Sequence, residues 1–176
     1  MILAVILTVF FILPRTPSVW LYKMTFDNDA DTGAITANGV FEFENNNYFD
    51  VNWKEAQVSL YWLPWDQQGI LAACSGSTTD ANEACEFYQD GYCAIPLGTF
   101  TSPSKFQTDS REDKKVSLPL SMSQQQASCA AEMLVLSALN QGTNTQRLFT
   151  KGSVAAKAPV RNFGRVHVSD TYYLLE

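Results

Sequence analysis

Apolar and polar positions alternate along much of this chain, most clearly over residues 41–62, FEFENNNYFDVNWKEAQVSLYW. Phe41 and Phe43 fall on one face there, and Val40, Glu42 and Glu44 on the other. Further on, Val58, Leu60 and Trp62 share a face opposed to Gln57, Ser59 and Tyr61. Period two predicts half-buried antiparallel strands. The intervening Asn45, Asn46 and Asn47 tolerate turn and left-handed conformations and can bond their own backbone. Alternating or short apolar runs predict strands at 19–26, 34–43, 57–63, 95–100, 116–120, 147–156 and 161–173. Pro64 ends the third, Pro96 confines the fourth to an edge or a strand start, and Gly164 suggests a bulge or turn in the last.

Residues 121–140 break this rhythm. Ala127, Ala130, Ala131, Leu134, Leu136, Ala138 and Leu139 follow one another without alternation. Ser121 or Ser123 can cap a helix here, and Gly142 lies just past its end. About seven short strands and one late helix describe a mostly β fold, an antiparallel immunoglobulin-like β-sandwich.

The first thirteen residues, MILAVILTVFFIL, carry no charge. As a helix they reach about 20 Å, short of the roughly 30 Å hydrocarbon core of a bilayer. A signal-peptide core would want a basic stretch before it and a small-residue cleavage site after it, and neither is present. A buried core segment is a second reading. The expected one is the end of a membrane helix, stopped by Pro14-Arg15-Thr16-Pro17, which sets a charge at the interface. The expected organisation is a partial transmembrane helix over 1–14, then a sandwich over 15–176 with a cysteine-rich insertion at 68–94.

Composition narrows the function. At 176 residues and 46% hydrophobic, the chain can bury one real core. Only 17% of residues are charged, the formal net charge is −6, and no basic cluster exceeds two residues. Nucleic acid needs a basic face and is not an expected partner. Nor does the net charge attract an anionic membrane. The run Arg111-Glu112-Asp113-Lys114-Lys115 reads as a solvated turn.

Four cysteines, Cys74, Cys85, Cys93 and Cys129, lack zinc-site spacing, and His167 is the sole histidine. Two disulfides in an oxidising compartment are expected, ahead of free thiols or metal. Cys74 and Cys93 bracket the insertion and could staple its base, leaving Cys85 for Cys129. A histidine without a nucleophile and an orienting carboxylate builds no catalytic site, so His167 reads as an ordinary strand residue. Asp27, Asp29 and Asp31 imitate the start of a calcium loop, but Gly33 comes one residue late and Asn38 holds the twelfth position. No enzyme, metal or cofactor is expected. Trp53, Tyr61, Trp62 and Trp65 read first as core and hairpin packing and second as a contact patch. Trp20 and Tyr22, just past the apolar segment, suit a membrane–water interface. Trp20, Tyr22, Trp62 and Trp65 are therefore the candidate lipid or partner contacts.

The order of these pieces resembles a known family. An apolar helix followed by Pro14-Arg15-Thr16-Pro17-Ser18-Val19 leads to Asn45-Asn46-Asn47-Tyr48-Phe49, then to Glu55-Ala56-Gln57-Val58. Ile95-Pro96-Leu97-Gly98 with Phe100, and Val116-Ser117-Leu118-Pro119-Leu120 before a helix, complete it. This resembles the group 2 late-embryogenesis-abundant fold, or WHy domain, and within it the transmembrane protein 106 family. The resemblance implies type II single-pass topology and a non-catalytic sandwich in the lumen of an endosome, lysosome or vacuole, or outside the cell. It also implies contact with lipid or protein partners, roles in endolysosomal organisation, and homo-oligomers or fibrils by edge-strand pairing. The chain departs from vertebrate members in having no glycosylation sequon. Cys129 matches the family's first disulfide cysteine, but no cysteine follows it near the C-terminus. An accessory subunit of a larger membrane assembly and a lipid-binding or lipid-transfer sandwich are the alternative readings.

Overall fold

The computed structural model describes residues 13–28, 34–64, 74, 85–102, 104–139 and 146–174. Among them nine strands and one helix follow in order. They are β1 (Ser18–Asn28), β2 (Ile35–Glu44), β3 (Val51–Leu63), β4 (Phe87–Gln89), β5 (Tyr92–Thr101), β6 (Phe106–Thr108), β7 (Asp113–Ser121), α1 (Gln124–Leu139), β8 (Gln146–Lys157) and β9 (Asn162–Leu174).

The strands form one hydrogen-bonded sheet in the order β1-β2-β7-β5-β3-β8-β9, with β4 on β5 and β6 on β3. Every pairing is antiparallel. The expected sandwich has two separate sheets, whereas here β7 joins the layers. Its residues from Asp113 to Pro119 pair with β2, while Leu120 and Ser121 pair with Phe100 and Thr99 of β5. The sheet therefore curls into a half-barrel, and β1 and β9 approach each other across its open seam. There the Leu21 N–H donates to the Asp170 carboxylate.

The alternation read from sequence sets the core. Phe41, Phe43, Val58, Leu60 and Trp62 are fully buried, as period two requires. They meet Trp53, Phe100, Leu118 and Leu148 between the layers. Phe41 and Phe100 pack edge-to-face at 5.0 Å, as do Phe43 and Trp53. Each such side chain contributes about 1.5–3 kcal/mol through burial. At Gly39 a Cβ would sit 2.8 Å from the Phe100 ring, so a larger residue there would push that ring out of place.

Three features differ from the sequence expectation. First, β3 begins at Val51 rather than Gln57. Val51 and Trp53 point inward, then Glu55 takes φ +54°, the register with β8 shifts, and Ala56 and Val58 point inward next. That bulge changes the parity and hides the strand from a period-two reading. Second, the end of the supposed insertion is a β4–β5 hairpin. Gln89 pairs with Tyr92 across Asp90-Gly91, both at positive φ (+52° and +82°), as a two-residue type I′ turn requires. Third, Pro96 lies inside β5. It faces Tyr61 of β3, and its other side falls in the gap between β4 and β7, where no ladder bond needs its missing N–H.

The helix begins where a capping box forms. The Gln126 N–H donates to Ser123 Oγ, and the Ser123 N–H to Gln126 Oε1. Cys129, Ala130 and Met133 carry its buried face against β2 and β5. Gly142 and the apolar residues 1–12 lie outside the described residues. Among the described residues no helix is long and apolar enough to cross a membrane.

Candidate interaction surface

β2 and β3 do not pair with each other, so the asparagine run carries the chain from one layer to the other. Backbone that leaves a ladder buried must find other partners, and two amides supply them. Asn45, 1% exposed, donates through Nδ2 to the carbonyls of Phe49 (2.9 Å) and Asp109 (2.9 Å). Its Oδ1 accepts from the Asn47 N–H (3.1 Å) and from Asn47 Nδ2 (3.0 Å). Asn47, 2% exposed, accepts from the Arg15 N–H at 2.6 Å and donates to the Arg15 carbonyl at 2.9 Å. One side-chain amide thus pairs with a peptide unit as a neighbouring strand would, and fixes the linker leaving the N-terminal apolar segment.

Other groups converge on this linker end. The Arg111 N–H donates to the Asn47 carbonyl, and its guanidinium lies 4.5 Å from the centre of the exposed Tyr48 ring. Arg161 Nη1 donates to the Pro14 carbonyl at 3.4 Å. Leu13, Tyr48 and Val160 are exposed, at 58%, 50% and 67%. The surface around the linker is therefore a mixture of apolar side chains and arginines. Glu44, nearby on the outer face, has its pKa lowered by hydrogen bonds from the Ser18 hydroxyl and then from the Asn46 side chain.

The opposite end of β3 is built from aromatic rings and cations. Tyr61, Leu63, Ala94 and Phe149 form a second apolar cluster, flanked by Phe87 and Tyr92. The Arg147 guanidinium lies 4.7 Å from the Tyr92 ring centre and its Nη2 is 3.7 Å from Asp90 Oδ2; Lys151 Nζ lies 4.4 Å from the Phe87 ring centre. The Tyr61 hydroxyl donates to Glu86, and burial raises its pKa. Tyr88 projects from β4, 63% exposed.

All four cysteines form disulfides, but with a different connectivity from the expected one. Cys85 joins Cys93 and Cys74 joins Cys129. The hairpin decides the first, because Cys93 pairs with Tyr88 and the chain leading into β4 runs beside it, with a Cα–Cα distance of 5.4 Å. Cys129 faces inward from α1, 4.6 Å from Cys74 between Cα atoms, and Gln125 Nε2 donates to the Cys74 carbonyl.

The aromatic contact candidates separate. Trp62 is fully buried and donates its indole N–H to Gln146 Oε1 at 2.9 Å, so it is a core residue and not a contact. Trp20 is half-buried on the outer face, opposite Glu42, and Tyr22 is half-exposed with Lys115 Nζ 3.4 Å from its ring centre. Both lie near the linker end. Trp65, Asp29 and Asp31 lie outside the described residues. His167 is exposed on β9, opposite Ser153. Among the described residues no cluster of three or more histidines, cysteines or carboxylates could hold a metal ion. Sequence reasoning missed Asn45 and Asn47 as buried anchors. The signal was three adjacent asparagines between strands whose layers the sequence does not reveal.

No protein-family model matches the chain, and no curated protein sequence matches it. Solved structures show partial likeness. A late-embryogenesis-abundant protein is 13% identical, with a TM-score of 0.39, covering 98% of this chain and 83% of that one. A protein from Archaeoglobus fulgidus is 11% identical, with a TM-score of 0.37, covering 90% of this chain and 97% of its own. A PapD-like domain of human CEP192 is 13% identical, with a TM-score of 0.35, covering 91% and 87%.

Proposed function

We propose that this protein is a non-catalytic β-sandwich held at a membrane by its N-terminal apolar segment, and that it works by contact with lipid or protein partners at its linker end. The observation that carries this is the Asn47 clamp on Arg15, set among exposed Leu13, Tyr48 and Val160. A mobile tether would leave the orientation of the domain free. A clamped one presents the same end to the bilayer each time. Trp20 and Tyr22, on the outer face beside the linker, extend that surface.

The resemblance to the transmembrane protein 106 family implies an endomembrane lumen or the cell exterior, and the two disulfides are compatible with either compartment. The lipid-transfer alternative needs an apolar channel between the layers. Phe41, Phe43, Trp53 and Phe100 fill the space an acyl chain would take. The accessory-subunit alternative keeps one supporting observation, the exposed Tyr88 on a stapled hairpin far from the linker.

Alkaline carbonate extraction of membranes from cells expressing the full chain tests the tether. The protein is expected in the pellet, and a chain starting at Arg15 in the supernatant. Complete release of the full chain would end the proposal.

A further inference from the structure

Beside the linker lies a second feature that contact at a bilayer does not require. A cleft of about 450 Å³ is lined by Lys54, Lys105, Lys157, Asn52, Ala158 and Pro159, with the buried Trp53 behind them. The register of β3 brings its three lysines together from distant parts of the chain. Asn52 pairs with Lys157 on the β8 side, and Trp53 pairs with Phe106 on the β6 side. Continuing that register by one residue sets Lys105 across from Lys54. Lys54 and Asn52 are two apart on β3 and share a face.

Like charges set on neighbouring strands repel. In a chain of net charge −6, such a cluster is not the product of a generally basic surface. Glu55 Oε1, 3.1 Å from Lys54 Nζ, neutralises part of it, and Glu55 also lies 3.9 Å from Arg165. Among the described residues no carboxylate is within ion-pair reach of Lys105 or Lys157. The lysine ammonium, a compact cation with three donors, is a common phosphate ligand. The floor of Ala158 and Pro159 continues to exposed Val160 and to Arg161, whose side chain reaches Pro14.

We propose that Lys54, Lys105 and Lys157 bind a phosphate-bearing anion, either the phosphate of a lipid headgroup or a free phosphate. The site stands on its own residues and does not depend on the tether. The anion would neutralise Lys105 and Lys157, which have no carboxylate partner among the described residues, and take hydrogen bonds from all three lysines.

The test is calorimetry on the full chain in dodecyl maltoside micelles at low salt. Three titrants are used: inorganic phosphate, dihexanoyl phosphatidic acid, and dihexanoyl phosphatidylcholine as the zwitterionic control. The double variant Lys105→Gln/Lys157→Gln is measured beside the native chain. Both positions are exposed, and the variant's urea midpoint checks its fold. Phosphatidic acid should bind and phosphatidylcholine should not, and the double variant should bind about a hundredfold more weakly or worse, the loss expected for two charged hydrogen bonds. Equal affinity for phosphate and phosphatidic acid would assign a free phosphate, and a strong preference for the lipid a headgroup; both support the site. No binding of either anion to the native chain, or unchanged binding in the double variant, would overturn it. Carbonate extraction reads the tether alone, so one proposal can fail without the other.

Discussion

Asn45 and Asn47 at the linker end and Arg147 with its aromatic neighbours at the hairpin end sit at opposite ends of β3. Both ends must keep polar groups satisfied where the regular ladder stops. The linker end does so with neutral amides at 1% and 2% exposure, each bonded through both its oxygen and its nitrogen to backbone or to the other amide. The hairpin end does so with a cation over rings and a disulfide between Cys85 and Cys93. The difference lies in what each end tolerates. An amide network fails as a unit, because removing one member strands several buried groups. A staple and ring contacts each add a separate increment, so losing one leaves the others in place.

The largest effect is expected at the linker end. Asn45→Ala removes a donor to two carbonyls and the acceptor for two Asn47 donors. A cost of about 3 kcal/mol is expected, since each stranded buried group costs about 1–3 kcal/mol. Urea unfolding of the two proteins checks this through the shift in midpoint at unchanged slope. A loss below half that figure would mean that the asparagine run is a solvated turn and not an anchor.

Replacing both Cys85 and Cys93 with Ala is expected to cost about 2.5 kcal/mol by the loop-entropy estimate, for a bridge with a sequence separation of 8. The type I′ turn and the Tyr61–Phe87 contact, at 4.8 Å, remain to hold the hairpin. The shift should therefore be smaller than for Asn45→Ala. If it proved larger, cohesion at the hairpin end would also be all-or-none, and the contrast between the ends would fail.

The same contrast explains what could be read from the sequence. Period two placed Phe41, Phe43, Val58, Leu60 and Trp62 on the correct faces, because burial of one face is a local constraint on the order of residues. The Ser123 cap and the helix after it were legible for the same reason. The first half of β3 was not, since Glu55 shifts the parity between Trp53 and Ala56. Asp90-Gly91 is a hairpin pair that the sequence reading passed over, because the flanking strand is three residues long and lay inside what read as an insertion. Cysteine connectivity followed from that hairpin and could not precede it. Layer assignment is a long-range property. Without it neither the role of the asparagines nor the meeting of Lys54, Lys105 and Lys157 could be seen.

The smallest expected effect concerns the seam between β1 and β9, where the curl of the sheet stays open. Burial raises the Asp170 pKa, and the hydrogen bond from the Leu21 N–H offsets this in part. Its Oδ2 is buried with no hydrogen-bond partner among the described residues. A carboxyl whose pKa is raised by folding binds its proton more readily in the folded state. Its contribution to stability is thus fully present below the ordinary aspartate value of 3.8 and is lost as pH rises through the folded value. Glu44 at the linker end has the opposite sign: its contribution is present above the ordinary value of 4.5 and is lost as pH falls through the lowered one. Asp170→Asn keeps an acceptor for Leu21 and removes the charge. It is expected to stabilise the protein at pH 7 by a few tenths of a kcal/mol, about what a solvent-screened charge contributes, with a smaller gain at pH 4. Urea midpoints of both proteins at the two pH values decide it. A gain that is equal at both, or larger at pH 4, would mean that the seam does not penalise the carboxylate and that acid does not tighten the closure of β1 on β9.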